Sequence, residues 1–224
     1  MAYYIDLKSI TLDEYKTKLT EGTLIPSRQV IREKIDACFD CLKNHDILNV
    51  EILKTALNNK KKFEDLSNQK PLTEEYLTQL KREVNSLHPK PNKISEFVGI
   101  SEETVSALQT IGIKDTKQLF ERIITKDARQ KLGKETGIDA EIILELTCLT
   151  DLSRIKWVGN MFARVLYETG YRTVKEVTLA DPEKLYAQIK QFNEENKLYK
   201  GQIGINDMKT LVEVAKDVTG EIKY

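Results

Sequence analysis

GISEETVSALQTIGIKDTKQLF, residues 99–120, and VGNMFARVLYETGYRTVKEVT, residues 158–178, are two stretches of one chain that align with each other. The alignment brings Gly112 onto Gly170 and matches apolar residues along the preceding helical pattern. In both stretches that pattern stops at the glycine, the residue that most readily takes the left-handed conformation of a helix end. The repetition predicts two copies of one helix-turn-helix arrangement.

Each copy continues into a second turn. Three positions after its glycine stands a residue suited to cap the following helix, Asp115 or Thr173. Further along, Gly137-Ile-Asp139 in the first copy and Gly204-Ile-Asn206 in the second each precede a helix with an apolar face. Four related turns are a stronger signal than one, so we predict two tandem double-hairpin units.

Helical patterns also dominate the preceding part of the chain. Thr11 and Glu14 have the spacing of a capping box, and Ser27–Asn44 carries apolar residues at the spacing of one buried helix face. Only Tyr3–Leu7 looks extended, and one short strand makes no sheet. We therefore predict an all-α fold. Further helices are expected at residues 49–58, 60–67 and 73–86.

A joint with two prolines, His88-Pro-Lys-Pro-Asn92, interrupts the helical pattern. Proline donates no backbone hydrogen bond and restricts the residue before it, so this segment predicts a linker or a stiff connection. We place a domain boundary there. The predicted domains are an N-terminal helical domain over residues 1–92, a first hairpin unit over residues 93–154 and a second over residues 155–224.

Composition and charge limit the possible functions. The 224 residues include 35 basic and 35 acidic side chains, and residues 94–224 carry 19 basic and 21 acidic ones. This balance weighs against nucleic-acid binding, which works mainly by replacing counterions with Lys and Arg, but a local basic patch remains compatible with it. Neither a signal peptide nor a membrane span is recognisable, and three cysteines suggest no disulfide framework. We therefore expect a cytoplasmic protein without membrane contact.

The repeated turns resemble a known module. Residues 94–218 are similar to tandem helix-hairpin-helix modules. The whole chain, including IPSRQVIREKID (residues 25–36) and YLTQLKREVNSLHPKP (residues 76–91), resembles an uncharacterised bacterial family described only as a domain of unknown function, DUF4332. The helix-hairpin-helix resemblance implies a loop of the form apolar-x-Gly-apolar-Gly, whose bare amides face a nucleic-acid phosphate at the start of the second helix. Such binding would read no base edge.

Each loop keeps half of that glycine pattern. The first has glycine at the first position and serine at the second, whereas the second has tryptophan at the first position and glycine at the second. Basic side chains surround the second loop, so we rank it above the first. The candidate nucleic-acid-binding residues are Gly99, Ile100 and Ser101 in the first loop, and Lys156, Trp157, Val158, Gly159, Asn160 and Arg164 in the second.

Both loops also have a purely structural interpretation. The Ser101 hydroxyl either donates to a phosphate or caps its own helix, and Glu102 and Glu103 oppose an anion there. Trp157 either packs at a helix junction, as most such residues do, or stacks on an unpaired base. Lys156 either contacts phosphate beside Gly159 or is a solvated lysine at an ordinary turn.

The remaining patterns suggest no chemistry of their own. Cys38 and Cys41 with His45 resemble a metal or redox site, but a zinc site needs a fourth ligand, so core packing of the cysteines is favoured. The basic run Lys60–Lys62 is typical of a solvated face. Since no catalytic or nucleotide-binding motif is present, we expect no enzyme, cofactor or metal.

These observations favour two functions almost equally. The first is a non-enzymatic binding module with weak, sequence-independent affinity for DNA or RNA backbone, acting mainly through the second hairpin unit. The alternative is a protein-protein interaction scaffold whose hairpins are purely structural.

Overall fold

A computed structural model describes residues 2–224, and all the regular secondary-structure elements of these residues are helices. Within these residues strand pairing is limited to two isolated bridges, between Thr11 and Asn49 and between Lys93 and Asp115. The segment predicted to be extended, Tyr3–Leu7, forms no strand. The prediction of an all-α fold is therefore confirmed. No helix of residues 2–224 is long and apolar enough to cross a membrane.

Residues 5–88 form one compact unit with its own apolar core. The Thr11 hydroxyl accepts from the Glu14 amide at 3.2 Å, and the Glu14 carboxylate accepts from the Thr11 amide at 2.8 Å, which confirms the capping box. The helices of this unit are α1 (Leu12–Glu21), a 3₁₀ helix (Pro26–Arg32), α2 (Ile35–Asn44), α3 (Val50–Asn58), α4 (Lys60–Ser67) and α5 (Glu74–Ser86).

The single helix suggested for Ser27–Asn44 is wrong in one respect. The segment begins as the 3₁₀ helix and restarts as α2 after Lys34, whose backbone is left-handed at φ +50°. Ile31 and Ile35 are nevertheless both buried, because the break keeps them on the side that faces the core. Apolar spacing therefore predicted the buried residues correctly but not the break in the backbone.

Residues 2–4 and 89–224 form the second compact unit. Tyr3 belongs to it although it precedes the first unit in sequence, because its hydroxyl lies 2.8 Å from the Thr116 hydroxyl and its ring meets the Phe120 ring edge-on. The helices are α6 (Glu102–Thr110), α7 (Thr116–Ile123), α8 (Lys126–Thr136), α9 (Ala140–Leu152), α10 (Asn160–Glu168), α11 (Val174–Thr178), α12 (Pro182–Asn196) and α13 (Ile205–Ala215), with a 3₁₀ turn at Ile94–Glu96.

Helix α9 joins the two apolar clusters of the second unit. Ile143 and Leu146 belong to the cluster built from α6 to α9, whereas Leu149 and Leu152 belong to the cluster built from α10 to α13. Ile100, before α6, packs against both clusters. The two predicted hairpin units therefore share a central helix, and each has its own apolar cluster.

The paired turn glycines have the conformation that the alignment predicts. Gly112 has φ +84° and Gly170 has φ +93°. The amide after each glycine donates to a carbonyl five residues back, from Ile113 to Leu108 and from Tyr171 to Leu166, both at 2.9 Å. These are the bonds of a Schellman closure, in which a left-handed residue ends the helix.

The fourth turn departs from the predicted pattern. Gly137 ends α8 at φ +72°, but Gly204 has φ −117° and is instead the N-cap of α13. The left-handed residue that ends α12 is Lys197, at φ +52°. The chain between Lys197 and Gly204 is a loop held by Asn193, whose side chain bonds both the amide and the carbonyl of Tyr199. In the first copy the end of α8 and the start of α9 are adjacent at Gly137, whereas in the second copy this loop separates the end of α12 from the start of α13.

Candidate nucleic-acid interface

The two candidate loops share one backbone conformation. In the first loop the Ile100 amide donates to the Phe97 carbonyl at 3.4 Å, and the equivalent bond joins Val158 to Ile155 at 3.0 Å in the second. The third residue of each turn has positive φ, +88° at Gly99 and +69° at Trp157. A four-residue turn with positive φ at its third residue normally requires glycine there. The alignment of Trp157 with Gly99 is therefore correct in three dimensions.

Apolar anchors hold the second loop in place. Ile155 and Val158 are buried in the apolar cluster of α10 to α13, while Trp157 between them keeps 40% of its surface exposed. The loop thus turns over two buried side chains and leaves the indole partly in solvent.

The amino end of α10 is open. Its N-cap, Gly159, has extended backbone (φ −87°, ψ 177°) and supplies no side chain to accept from the first amides of the helix. No atom of residues 2–224 lies within 4 Å of the position that a Cβ on Gly159 would take. The first turn of α10, Asn-Met-Phe-Ala, contains no acidic side chain. The positive end of the α10 dipole and the first amides of this helix therefore have no acidic side chain of the first turn beside them.

One oxygen from elsewhere in the unit already reaches this helix start. The Asn160 amide donates to Asn92 Oδ1 at 3.3 Å, and Asn160 Nδ2 donates to the Glu96 carbonyl at 2.6 Å. Asn92 was not among the residues predicted for the site. Its position directly after the prolines of the joint was the available signal, because such a stiff segment can hold a side chain against a neighbouring helix.

The amino end of α6 in the first loop is closed. The Ser101 hydroxyl accepts from the Thr104 amide and donates to the Thr104 hydroxyl, both at 3.2 Å. Glu102 and Glu103 occupy the first turn. Of the two interpretations of Ser101, the structure therefore favours the capping of its own helix.

The predicted cations of the second loop are engaged inside the protein. Lys156 is only 9% exposed, and its ammonium lies 4.2 Å from the centre of the Trp157 ring. Arg164 is 4% exposed and bonds Glu145 at 2.5 Å and Glu168 at 3.1 Å. Its guanidinium also packs beneath the first loop, where a Cβ on Gly99 would lie 3.2 Å from Nη2. Burial and acidic partners leave Arg164 little charge to offer an outside phosphate.

Arg154 is likewise a structural residue. It bonds the Asp151 carboxylate at 2.9 Å and the carbonyls of Tyr3 and Thr219 at 3.2 and 2.9 Å. Asp151 also accepts from the Val174 amide at 3.1 Å and the Tyr224 hydroxyl at 3.0 Å. Burial raises the pKa of Asp151, an effect that these hydrogen bonds oppose. The pair ties α9 to α11 and to the segment after α13.

An exposed cation near the open helix start comes from the joint. Lys93 directly follows Asn92, its side chain is 68% exposed, and its ammonium lies 3.3 Å from Glu96. An exposed pair of this kind is weak and exchanges readily with solvent ions. Lys93 is therefore better placed to meet a phosphate than Lys156 or Arg164.

Cys38 and Cys41 belong to the first compact unit, residues 5–88. Cys38 is buried in the core of the first unit and Cys41 is half-buried against it, and burial raises the pKa of both thiols. His45 is exposed at the end of α2. Among residues 2–224, no three His, Cys, Asp or Glu side chains are grouped so that they could hold a metal ion.

The fold and the site define an all-α protein whose second unit carries one open and one closed helix start on equivalent turns. Residues 98–218 match the model of a family described as Domain of unknown function (DUF4332), and this match covers more than half of the chain. The chain therefore belongs to that family. No curated protein and no solved structure matches the chain.

Proposed function

We propose that this protein is a non-enzymatic binding module that holds nucleic-acid backbone weakly and without regard to sequence. The contact is made by residues 156–160, which form a loop in the second of two tandem helix-hairpin-helix units. The observation that carries the proposal is the open amino end of α10, whose N-cap glycine supplies no side-chain acceptor and whose first turn contains no acid. Such a helix start favours a phosphate through the amides that its N-cap does not satisfy and through the positive end of its dipole.

Gly159 supports this assignment because the fold does not require a glycine there. Its extended backbone is accessible to any residue, and a Cβ would meet no atom of residues 2–224 within 4 Å. What a side chain would obstruct is the approach of another molecule to the amides. The bond from the Asn160 amide to Asn92 Oδ1 indicates that an oxygen acceptor fits at this helix start.

The affinity is expected to be low and sensitive to salt. The chain has no net charge, and Lys93 is an exposed cation next to Asn92 in sequence, so this lysine and the positive end of the α10 dipole together compensate about two phosphates. For two phosphates on duplex DNA, raising the salt concentration from 50 to 200 mM weakens binding by about tenfold.

A second candidate function is a protein-protein interaction scaffold. The burial of Lys156 and the pairing of Arg164 with two glutamates favour it, because both reduce the positive charge available to nucleic acid. Trp157 and Val98, at equivalent turns, are 40% and 44% exposed and suit an apolar partner.

The test is a titration of fluorescently labelled duplex DNA followed by anisotropy at 50 and 200 mM salt. Gly159→Asp is the informative variant, because aspartate is a good N-cap that stabilises α10 but places a negative charge where the phosphate would lie. Gly159→Asn is the matched control, since it caps the helix with nearly the same shape and no charge. Lys93→Gln tests the cation.

We expect Gly159→Asp to unfold at a temperature equal to or higher than wild type, yet to bind duplex DNA at least tenfold more weakly than Gly159→Asn. Lys93→Gln should reduce the salt slope by about one. Absence of binding by wild type at 50 mM salt, to single-stranded as well as to duplex DNA, would refute the proposal and leave the scaffold function. Equal binding by the Asp and Asn variants would place the contact elsewhere on the protein.

A further inference from the structure

Trp157 occupies a backbone conformation that disfavours its own side chain. At φ +69° it lies in the left-handed region, which is costly for a bulky residue, and the equivalent turn uses Gly99 there. A residue held in such a conformation often marks a functional site. Burial offers only part of the compensation, because 40% of the residue remains exposed.

The indole has one occupied and one exposed side. The Lys156 ammonium lies 4.2 Å from the ring centre, and Lys156 is itself buried, so a buried cation covers one side of the ring. The exposed 40% of Trp157 therefore lies outside the area that the ammonium covers. A flat aromatic surface fixed from behind is suited to stacking against another planar group.

We infer that Trp157 is a stacking platform for an unpaired nucleobase, so that this loop takes single-stranded nucleic acid in preference to duplex. The inference rests on the proposed function, because it names the form of nucleic acid that the same loop holds. Every base has a π face, so stacking adds affinity without adding sequence preference. Weak, sequence-independent binding is therefore retained.

Duplex DNA meets this loop less well for a geometric reason. In a duplex both faces of each base are covered by its neighbours, so an indole reaches a base face only after the stack is opened, at an energetic cost. A single strand offers its bases without that cost. Backbone charge alone predicts the opposite order, because duplex DNA has the higher density of phosphates. A preference for single strands therefore reports on Trp157 and not on electrostatics.

The experiment uses the full chain and the fluorescence of its single tryptophan, Trp157. At 50 mM salt the protein is titrated with a 12-nucleotide thymidine oligomer, a 12-base-pair duplex and an abasic 12-mer that has the same backbone charge as the thymidine oligomer but no bases. Affinities of end-labelled oligomers are measured in parallel by anisotropy. Trp157→Gly, which places in this turn the residue found at position 99, is compared with wild type after its fold is checked by circular dichroism.

We expect the thymidine oligomer to quench the Trp157 fluorescence and to bind about tenfold more tightly than the abasic oligomer, while the abasic oligomer causes no quenching. Trp157→Gly should bind the two oligomers equally. Because quenching is measured on wild type, the test does not depend on the stability of the variant.

Equal affinity for the thymidine and abasic oligomers, without quenching, would overturn the inference and leave backbone binding intact. Retention of the tenfold ratio in folded Trp157→Gly would overturn it as well. Absence of binding by all three nucleic acids would refute the proposed function itself, and the exposed indole would then be assigned to a protein partner.

Discussion

The two loops each contain one glycine, at different positions of the same turn. Gly99 is equivalent to Trp157, and Gly159 is equivalent to Ser101. The two glycines face opposite structural demands. Gly99 has φ +88°, and a Cβ there would lie 3.2 Å from Arg164 Nη2. Gly159 has φ −87°, and a Cβ there would meet no atom of residues 2–224 within 4 Å. The substitutions Gly99→Ala and Gly159→Ala therefore add the same methyl group to two related turns with different expected costs.

The left-handed conformation costs alanine about 1–2 kcal/mol at position 99. Arg164 cannot easily move away, because Glu145 and Glu168 hold its guanidinium, and this crowding adds about 1 kcal/mol. We expect Gly99→Ala to lower the free energy of unfolding by about 2–3 kcal/mol. For Gly159→Ala, the gain from a less flexible unfolded chain, about 0.4–1 kcal/mol, offsets a similar loss of N-cap preference. The net change should be close to zero.

Urea denaturation followed by tryptophan fluorescence measures this difference. Trp157 is the single tryptophan and lies in the second unit, so its signal reports the unfolding of residues 89–224. With a denaturant slope of about 2 kcal/mol per molar urea, Gly99→Ala should lower the midpoint by about 1–1.5 M. Gly159→Ala should leave it unchanged. Equal destabilisation by the two substitutions, or a neutral Gly99→Ala, would refute the account of these turns.

Two further perturbations test the interior of the second unit. Arg154→Met removes the cation from a buried pair and leaves Asp151 without its counter-ion. We therefore expect a loss of about 3–5 kcal/mol in the free energy of unfolding. A loss below about 1 kcal/mol in the same urea assay would contradict the role given to this pair. Burial raises the pKa of Cys148 to about 12. A thiol reagent at pH 8 should therefore modify half-buried Cys41 in the folded protein, but Cys148 only after unfolding. Mass spectrometry of the labelled peptides measures the two rates, and similar rates for both cysteines would disprove this prediction.

Local signals in the sequence predicted the helices well. The expected helices at residues 49–58, 60–67 and 73–86 correspond to Val50–Asn58, Lys60–Ser67 and Glu74–Ser86. Capping residues and apolar spacing act within one or two turns, so each helix could be recognised without knowledge of its neighbours. The break at Lys34 was missed because nothing in the apolar spacing around it changes.

The candidate site was predicted only in part. The positions of the turns follow from short-range patterns, but the openness of the helix start at Gly159 and the availability of each cation do not. Arg164 is occupied by Glu145, nineteen residues away on α9, and Asn92 reaches the start of α10 from the proline joint. Such contacts join distant parts of the chain, and local patterns in a single sequence give no signal of them.

The sequence by itself therefore determined the helical fold, the paired turns at Gly112 and Gly170 and the equivalence of Gly99 with Trp157. These features depend on the backbone preferences of single residues and on apolar spacing, which are written locally in the chain. Only the tertiary structure decided which of the two helix starts is open and which cations are buried, because accessibility and ion pairing arise when helices distant in sequence pack against one another.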